Sequence, residues 1–240
     1  MSSDKFDFND IKIILSSEGY NLDYQYIVRE LGFWSNGFSA SIPFNVKLNK
    51  NHLDEKNKRE VLYCEDHLNG IKLKRSFEYG LASSDIKPVL RTLFHMNNNP
   101  NGKYIGISCV DYQLEGLLHK SGLGNHIVHL EKLKPHDVYL DFPNINIIRD
   151  EIKSNPNKHI VCQNHDRLRI NEPPSCAKVK VEMMADWCKL VKDCAEDQER
   201  RLQELWGQYT LTENWNKQSD DYKNEELVGE SITLPSIDSK

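Results

Sequence analysis

The chain has 240 residues, 38% of them hydrophobic, and 31 Lys+Arg against 36 Asp+Glu give a net charge of −5. That length suits one large domain or two small ones and is enough to bury a core. The charge is uneven: residues 196–240 hold 5 Lys+Arg against 11 Asp+Glu, leaving 26 against 25 in residues 1–195, so no overall electrostatic case exists for tight nucleic-acid binding.

No apolar run approaches the length of a membrane span, and the opening M-S-S-D-K-F-D-F is too acidic and polar for a signal peptide. A soluble, intracellular protein is expected. In that setting six cysteines and nine histidines favour thiols and metal over disulfides.

After a flexible N-terminus (1–10), Lys12–Leu15 reads as a short buried strand ending in the polar turn S-S-E-G-Y. Tyr26–Phe33 and Ser39–Leu48 read as two further strands, making an antiparallel meander. Glu30 lies inside the second of them. A carboxylate there either faces solvent or must be paired or bound to a cation, because burying it bare costs several kcal/mol.

Lys47–Arg75 is mildly basic, a pattern that fits a solvated face or a local nucleic-acid contact. Ser84–Met96 reads as a helix, with Ser84 as cap, Pro88 in the first turn and Ile86, Val89, Leu90, Leu93 and Phe94 on one face. N-N-N-P-N-G is a loop. Lys103–Cys109 reads as a strand, Asp111–His119 as a helix and Ile127–Leu130 as a strand. This alternation after a meander indicates a mixed-sheet α/β domain. Residues 134–160 look loop-rich.

Cys162, His165 and Cys176 follow in the pattern C-x2-H-x10-C, three soft ligands within 15 positions. Two intervening residues return Cys162 and His165 to the same side of a turn, and a later thiolate can close the ring around a metal. Cys176 opens a helix whose Ala177, Val181, Met184, Cys188, Val191 and Ala195 form one buried stripe. Cys64, Cys109, Cys188 and Cys194 read as core or near-surface thiols, and His67, beside a glycine turn, as one further histidine that could serve a site. The last helix extends through Leu202, Leu205 and Trp206, and residues 208–240 read as an acidic, largely disordered tail.

This order of elements is similar to that of RNase H-like nucleases of the DnaQ exonuclease type, in which four carboxylates hold two metal ions, beginning with D-x-E in the first strand. Here the matching stretch is Ser16-Ser17-Glu18, so the leading aspartate is missing. The other weak catalytic candidates are Asp111 after its strand and Asp186 on the last helix, with no His or Tyr base a turn before Asp186. Arg29-Glu30-Leu31-Gly32, Cys162-x2-His165 and Cys176-Ala177 resemble, in that order, the Glu-Cys-His-Cys zinc motif of the Maelstrom domain, a catalytically degenerate form of the same fold. The resemblance covers roughly Ile11–Cys194. The last ligand spacing is slightly longer than the family pattern, and no HMG-type box accompanies it.

The resemblance implies an RNase H-like domain over residues 11–207 with structural zinc on Glu30, Cys162, His165 and Cys176, a closed tetrahedron with no position for an activated water. It further implies a largely non-catalytic RNA- or protein-binding role in germline piRNA silencing of transposons. Argonaute/Piwi-class or other germ-granule proteins would be partners at cytoplasmic, perinuclear granules, with no membrane contact. The alternatives are an active single-stranded RNA nuclease using Glu18, Asp111 and Asp186, and a zinc-stabilised scaffold that never touches RNA.

Overall fold

The sheet is organised on a 12-residue strand, β1 (Ile11–Leu22), whose polar middle is as buried as its apolar ends. A computed structural model describes residues 8–23, 25–48, 50–96, 102–135 and 138–228, with side-chain detail ending at Glu204. β1 pairs antiparallel with β2 (Gln25–Ser35), and β2 antiparallel with β3 (Phe38–Asn45). On its other side β1 pairs parallel with β5 (Tyr104–Ile107), which pairs parallel with β6 (Ile127–His129). A two-residue β4 (Leu81–Ala82) joins β3, and the order is β4-β3-β2-β1-β5-β6. Parallel neighbours need crossovers. The helices α2 (Ile86–Met96) and α3 (Tyr112–Lys120) precede and follow β5. The expected mixed-sheet α/β architecture, with flanking helices and a long last helix, is therefore present.

The two faces of the β1–β2 pair differ. Ile13, Leu15, Val28 and Leu31 pack with Ile86, Leu90 and Phe94 of α2 and with Leu114 and Leu118 of α3 in one core. Ser16 stands opposite Gly32, and Glu18 opposite Glu30, so these four share the other face. The last helix, α5 (Ala177–Val228), begins against that polar face. A Cβ on Gly32 would lie 2.2 Å from the Ala177 carbonyl oxygen, so only glycine allows strand and helix to approach this closely. Of the predicted stripe, Ala177, Val181, Met184, Cys188 and Val191 are buried, while Ala195 at its end is only half-buried.

Three expectations are corrected, and one helix appears where no element was expected. S-S-E-G is strand, because its polar side chains find partners inside: Ser16 Oγ donates to Asp111 Oδ2 (3.0 Å), Ser17 Oγ and the Tyr26 hydroxyl are 3.1 Å apart, and Glu18 meets Lys180. A bulge at Glu18/Gly19 accommodates the irregularity, with the Ile27 carbonyl where a Gly19 side chain would be. Residues 49–60 include the start of α1 (Glu55–Tyr63), capped by Asp54; it buries only Asn57 and Val61, too little for a clear periodic signal. The loop-rich stretch holds α4 (Ile145–Ser154), capped by Asn144 and burying Ile148 and Ile152.

Finally, α5 continues to Val228 through most of the stretch read as disordered. Between Gly207 and Gly229 the sequence has neither Gly nor Pro, so nothing interrupts the backbone ladder. Residues 1–7, 97–101 of the asparagine-rich loop and 229–240 of the tail lie outside the described residues. The chain divides into two units, the first ending at Lys192 and the second beginning at Asp193. No described helix is long and apolar enough to cross a membrane.

Candidate metal centre

The cluster draws on three regions: Glu30 from the centre of β2, Cys162 and His165 from the irregular segment after α4, and Cys176 immediately before α5. Their ligand atoms all lie within 4.8 Å of one another. Glu30 is fully buried, which removes the solvent-facing alternative. Its Oε1 accepts from Cys162 Sγ (2.7 Å), and its Oε2 accepts from the Ala177 N–H (2.9 Å) and stands 3.0 Å from His165 Nε2. One carboxylate thus caps the N-terminus of α5 and faces an imidazole and a thiol. Gly70, at φ +66°, lets the Asp166 carbonyl lie where a Cβ would project, bringing the segment containing His165 against the turn after α1.

The donor set fits a cation on chemical grounds. His165 Nδ1 lies 2.5 Å from the Asn69 carbonyl oxygen, and a carbonyl only accepts, so Nδ1 carries a proton. In a neutral ring Nε2 is then a lone pair facing the Glu30 carboxylate. Two acceptors at 3.0 Å require a proton or a metal ion between them. A histidine that gives its other N–H to a backbone carbonyl is the usual arrangement of a metal ligand. Around a tetrahedral zinc, donor atoms at about 2.0–2.3 Å from the ion are roughly 3.3–3.8 Å apart, within small adjustments of this cluster.

Without an ion the same group must share protons. Burial opposes charge on Glu30, but the hydrogen bond and charge of His165, with hydrogen bonds from Cys162 and the Ala177 amide, together outweigh it and hold the carboxyl at about 2. Burial also opposes charge on His165, yet hydrogen bonds to Cys176 and Glu30 raise the imidazole to about 11. The Cys162 hydrogen bond lowers Cys176 to about 6, while that same pairing, with burial, pushes the Cys162 thiol up. Metal binding would displace these protons.

Of the weak catalytic candidates, Glu18 and Asp111 come near one another and Asp186 does not. Lys180 Nζ lies 2.6 Å from Glu18 Oε1, which also accepts a short hydrogen bond from Ser175 Oγ. Burial disfavours charge on Lys180, but Glu18 and Asp111 raise its pKa, so the ammonium is retained. Asp111 accepts from Ser16, and burial raises its pKa. Asp186 instead pairs with Lys158 (3.0 Å), away from this group. A protein ammonium therefore sits against Glu18, and the Asp111 carboxyl is near enough to favour its charge.

Lys180, Ser175 and Asn69 were missed by sequence reasoning. Lys180 carried a signal: four residues after Cys176, it puts a charge on the buried face of the helix. His67 is exposed, stacks on Tyr63 (5.6 Å) and takes no part in the cluster. Within the basic stretch Lys58 pairs with Glu55, Lys72 with Asp66 and Arg75 with Asp166. Cys64 and Cys188 are buried thiols, Cys109 is exposed and Cys194 lies between. Burial pushes Cys188 up to about 12.

A groove of about 710 Å³ runs between the β1–β2 turn, α2 and α3. Lys87, Lys120, Tyr112, Gln25, Asn21 and Tyr26 line it, together with serines and apolar residues, and no carboxylate does. No family model, no curated protein and no solved structure matches the chain.

Proposed function

We propose that the chain is a degenerate RNase H-like module of the Maelstrom type that binds single-stranded RNA without cutting it and takes part in small-RNA silencing of transposons in the germline. The observation that carries the loss of cutting is the ammonium of Lys180 seated on Glu18. Two-metal hydrolysis needs carboxylates converging on two divalent ions about 3.5–4 Å apart. Here one acid is neutralised by lysine, Asp111 is engaged by Ser16, and Asp186 is held elsewhere by Lys158.

Zinc is the ion suited to Glu30, Cys162, His165 and Cys176, because two thiolates and an imidazole favour a borderline-soft metal over magnesium. With all four protein ligands engaged it would cross-link β2 to α5 and leave no site for water. RNA binding is supported by the acid-free groove: two lysines neutralise phosphates, and the exposed Tyr112 offers a stacking face. The pathway, and Argonaute/Piwi-class or other germ-granule partners, rest on the resemblance of the Glu30, Cys162–His165 and Cys176–Ala177 motifs to the Maelstrom pattern.

Fluorescence anisotropy with a short single-stranded RNA, run beside a cleavage assay with magnesium or chelator, tests this reading. Binding without cleavage is expected, weakened in Lys87→Glu/Lys120→Glu. Magnesium-dependent cleavage abolished by Glu18→Ala would establish the nuclease alternative instead. Absence of RNA binding at low salt would leave only the scaffold.

A further inference from the structure

The four ligands proposed for zinc divide into two pairs. His165 Nε2 and Glu30 Oε2 stand 3.0 Å apart, on an imidazole and a carboxylate that mild oxidants leave unchanged. Cys162 and Cys176 are the other pair, with sulfurs within 4.8 Å of one another and a hydrogen bond between the two thiols. Zinc would hold both as thiolates, the oxidisable form. Three of the remaining free cysteines are poor nucleophiles by contrast: burial pushes the Cys64 and Cys188 thiols up, and partial desolvation with the Glu131 carboxylate raises Cys109.

The paired sulfurs differ in access. Cys162 is half-buried in the irregular segment after α4, whereas Cys176 is fully buried at the start of α5. An oxidant from solvent therefore meets Cys162 first. Residues 163–175 between the two contain neither helix nor strand, so the Cys162 side can yield while α5 holds Cys176 in place. Two thiolates on one tetrahedral ion are about 3.8 Å apart and a disulfide needs about 2.05 Å, so closure takes less than about 2 Å shared between two side chains.

Given zinc on this cluster, we propose that it is a peroxide-sensitive switch in which hydrogen peroxide joins Cys162 to Cys176 and expels the ion. The Cys162 thiolate attacks one peroxide oxygen, the O–O bond breaks, and departing hydroxide leaves a sulfenic acid on Cys162. The Cys176 thiolate then attacks the Cys162 sulfur, forms the S–S bond and displaces a second hydroxide. The two thiolates lose two electrons, the peroxide gains them, and two protons from solvent turn both hydroxides into water. Disulfide sulfurs carry no charge and are poor ligands, so only Glu30 and His165 remain and the ion departs.

The switch changes which elements are tied together. Zinc would join β2, the segment after α4 and α5, whereas the disulfide joins only the last two. Glu30 still accepts the Ala177 N–H at 2.9 Å, so the sheet-to-helix contact loses its metal cross-link and keeps its capping bond.

The test treats the full chain, purified with its zinc and measured for metal content, with hydrogen peroxide while a chromogenic chelator records release. Loss of all the bound zinc is expected, together with a Cys162–Cys176 disulfide in a non-reducing peptide map. Dithiothreitol with added zinc should restore the bound ion. The Cys109→Ser/Cys194→Ser variant should respond as the wild type does, since neither residue belongs to the cluster.

Zinc that stays bound under peroxide, release without that disulfide, release that fails to reverse, or release lost in the variant would each overturn the switch. A chain that carries no zinc from the start would overturn it too, through failure of the zinc reading itself, which the initial metal content identifies. The peptide map uses the unmutated chain, so it decides the matter even if the double variant folds poorly.

Discussion

Substituting alanine for Gly32 probes the contact on which the candidate centre rests. The new Cβ would stand 2.2 Å from the Ala177 oxygen, 2.3 Å from its carbonyl carbon and 2.8 Å from the Lys178 nitrogen. All three are backbone atoms in the first turn of α5, so no side chain can swing aside. Ordinary contact begins near 3.4 Å, so β2 and α5 must part by about 1 Å. Glu30, two residues earlier, accepts the Ala177 N–H at 2.9 Å, and that separation takes the bond out of range.

Losing a hydrogen bond to a charged group costs about 1.5–3 kcal/mol, and overpacking adds about 1–3 kcal/mol. The expected destabilisation is therefore about 3–5 kcal/mol, or a fall in Tm on the order of 10 °C for a chain of this size. Circular-dichroism melts and urea titrations of both proteins, with and without chelator, measure it. Gly116→Ala is the control: nothing lies within 4 Å of its Cβ position, and alanine inside α3 should stabilise by up to about 1 kcal/mol. A Gly32→Ala protein melting within about 2 °C of wild type would refute the close approach of strand and helix, and with it the placement of Glu30.

Elemental analysis of protein purified without added metal should find one zinc per chain, and Cys176→Ser should lose it together with a large part of the melting temperature; full metal retention in that variant would remove the zinc proposal. Lys180→Ala leaves Glu18 buried beside Ser175 without its cation and should cost about 2–3 kcal/mol, below the fully buried range because Lys180 is partly exposed. Adding Glu18→Gln should recover part of that loss in a urea titration, and strict additivity would mean that the pair is not coupled.

Much of the sheet and its apolar-face helices was legible because their apolar residues alternate or recur on one face, as in β2, β3 and α2. Segments were misread where burial is polar or slight. Ser16, Ser17 and Glu18 look like a turn until Asp111, Tyr26 and Lys180, all distant in sequence, supply their partners. Asn144 and the Ile148/Ile152 pair did mark α4, as a cap followed by an i,i+4 apolar pair. Within the candidate centre Cys162, His165 and Cys176 are visible as a local motif. Glu30 joins them only through the register of β2 against β1 and the start of α5. Lys180, whose ammonium pairs with Glu18, belongs to no such motif.

The bond between Cys162 and Glu30 closes a span of 132 residues, and Cys176 enters from a third region. In an unfolded or half-folded chain only Cys162 and His165 are neighbours, and two donors hold an ion weakly. The complete four-donor set arises when the meander, the segment after α4 and the first turn of α5 have all met, after the cost of closing a long loop has been met. Occupancy of the cluster would thus act as a lock applied late in folding, slowing unfolding far more than it speeds folding.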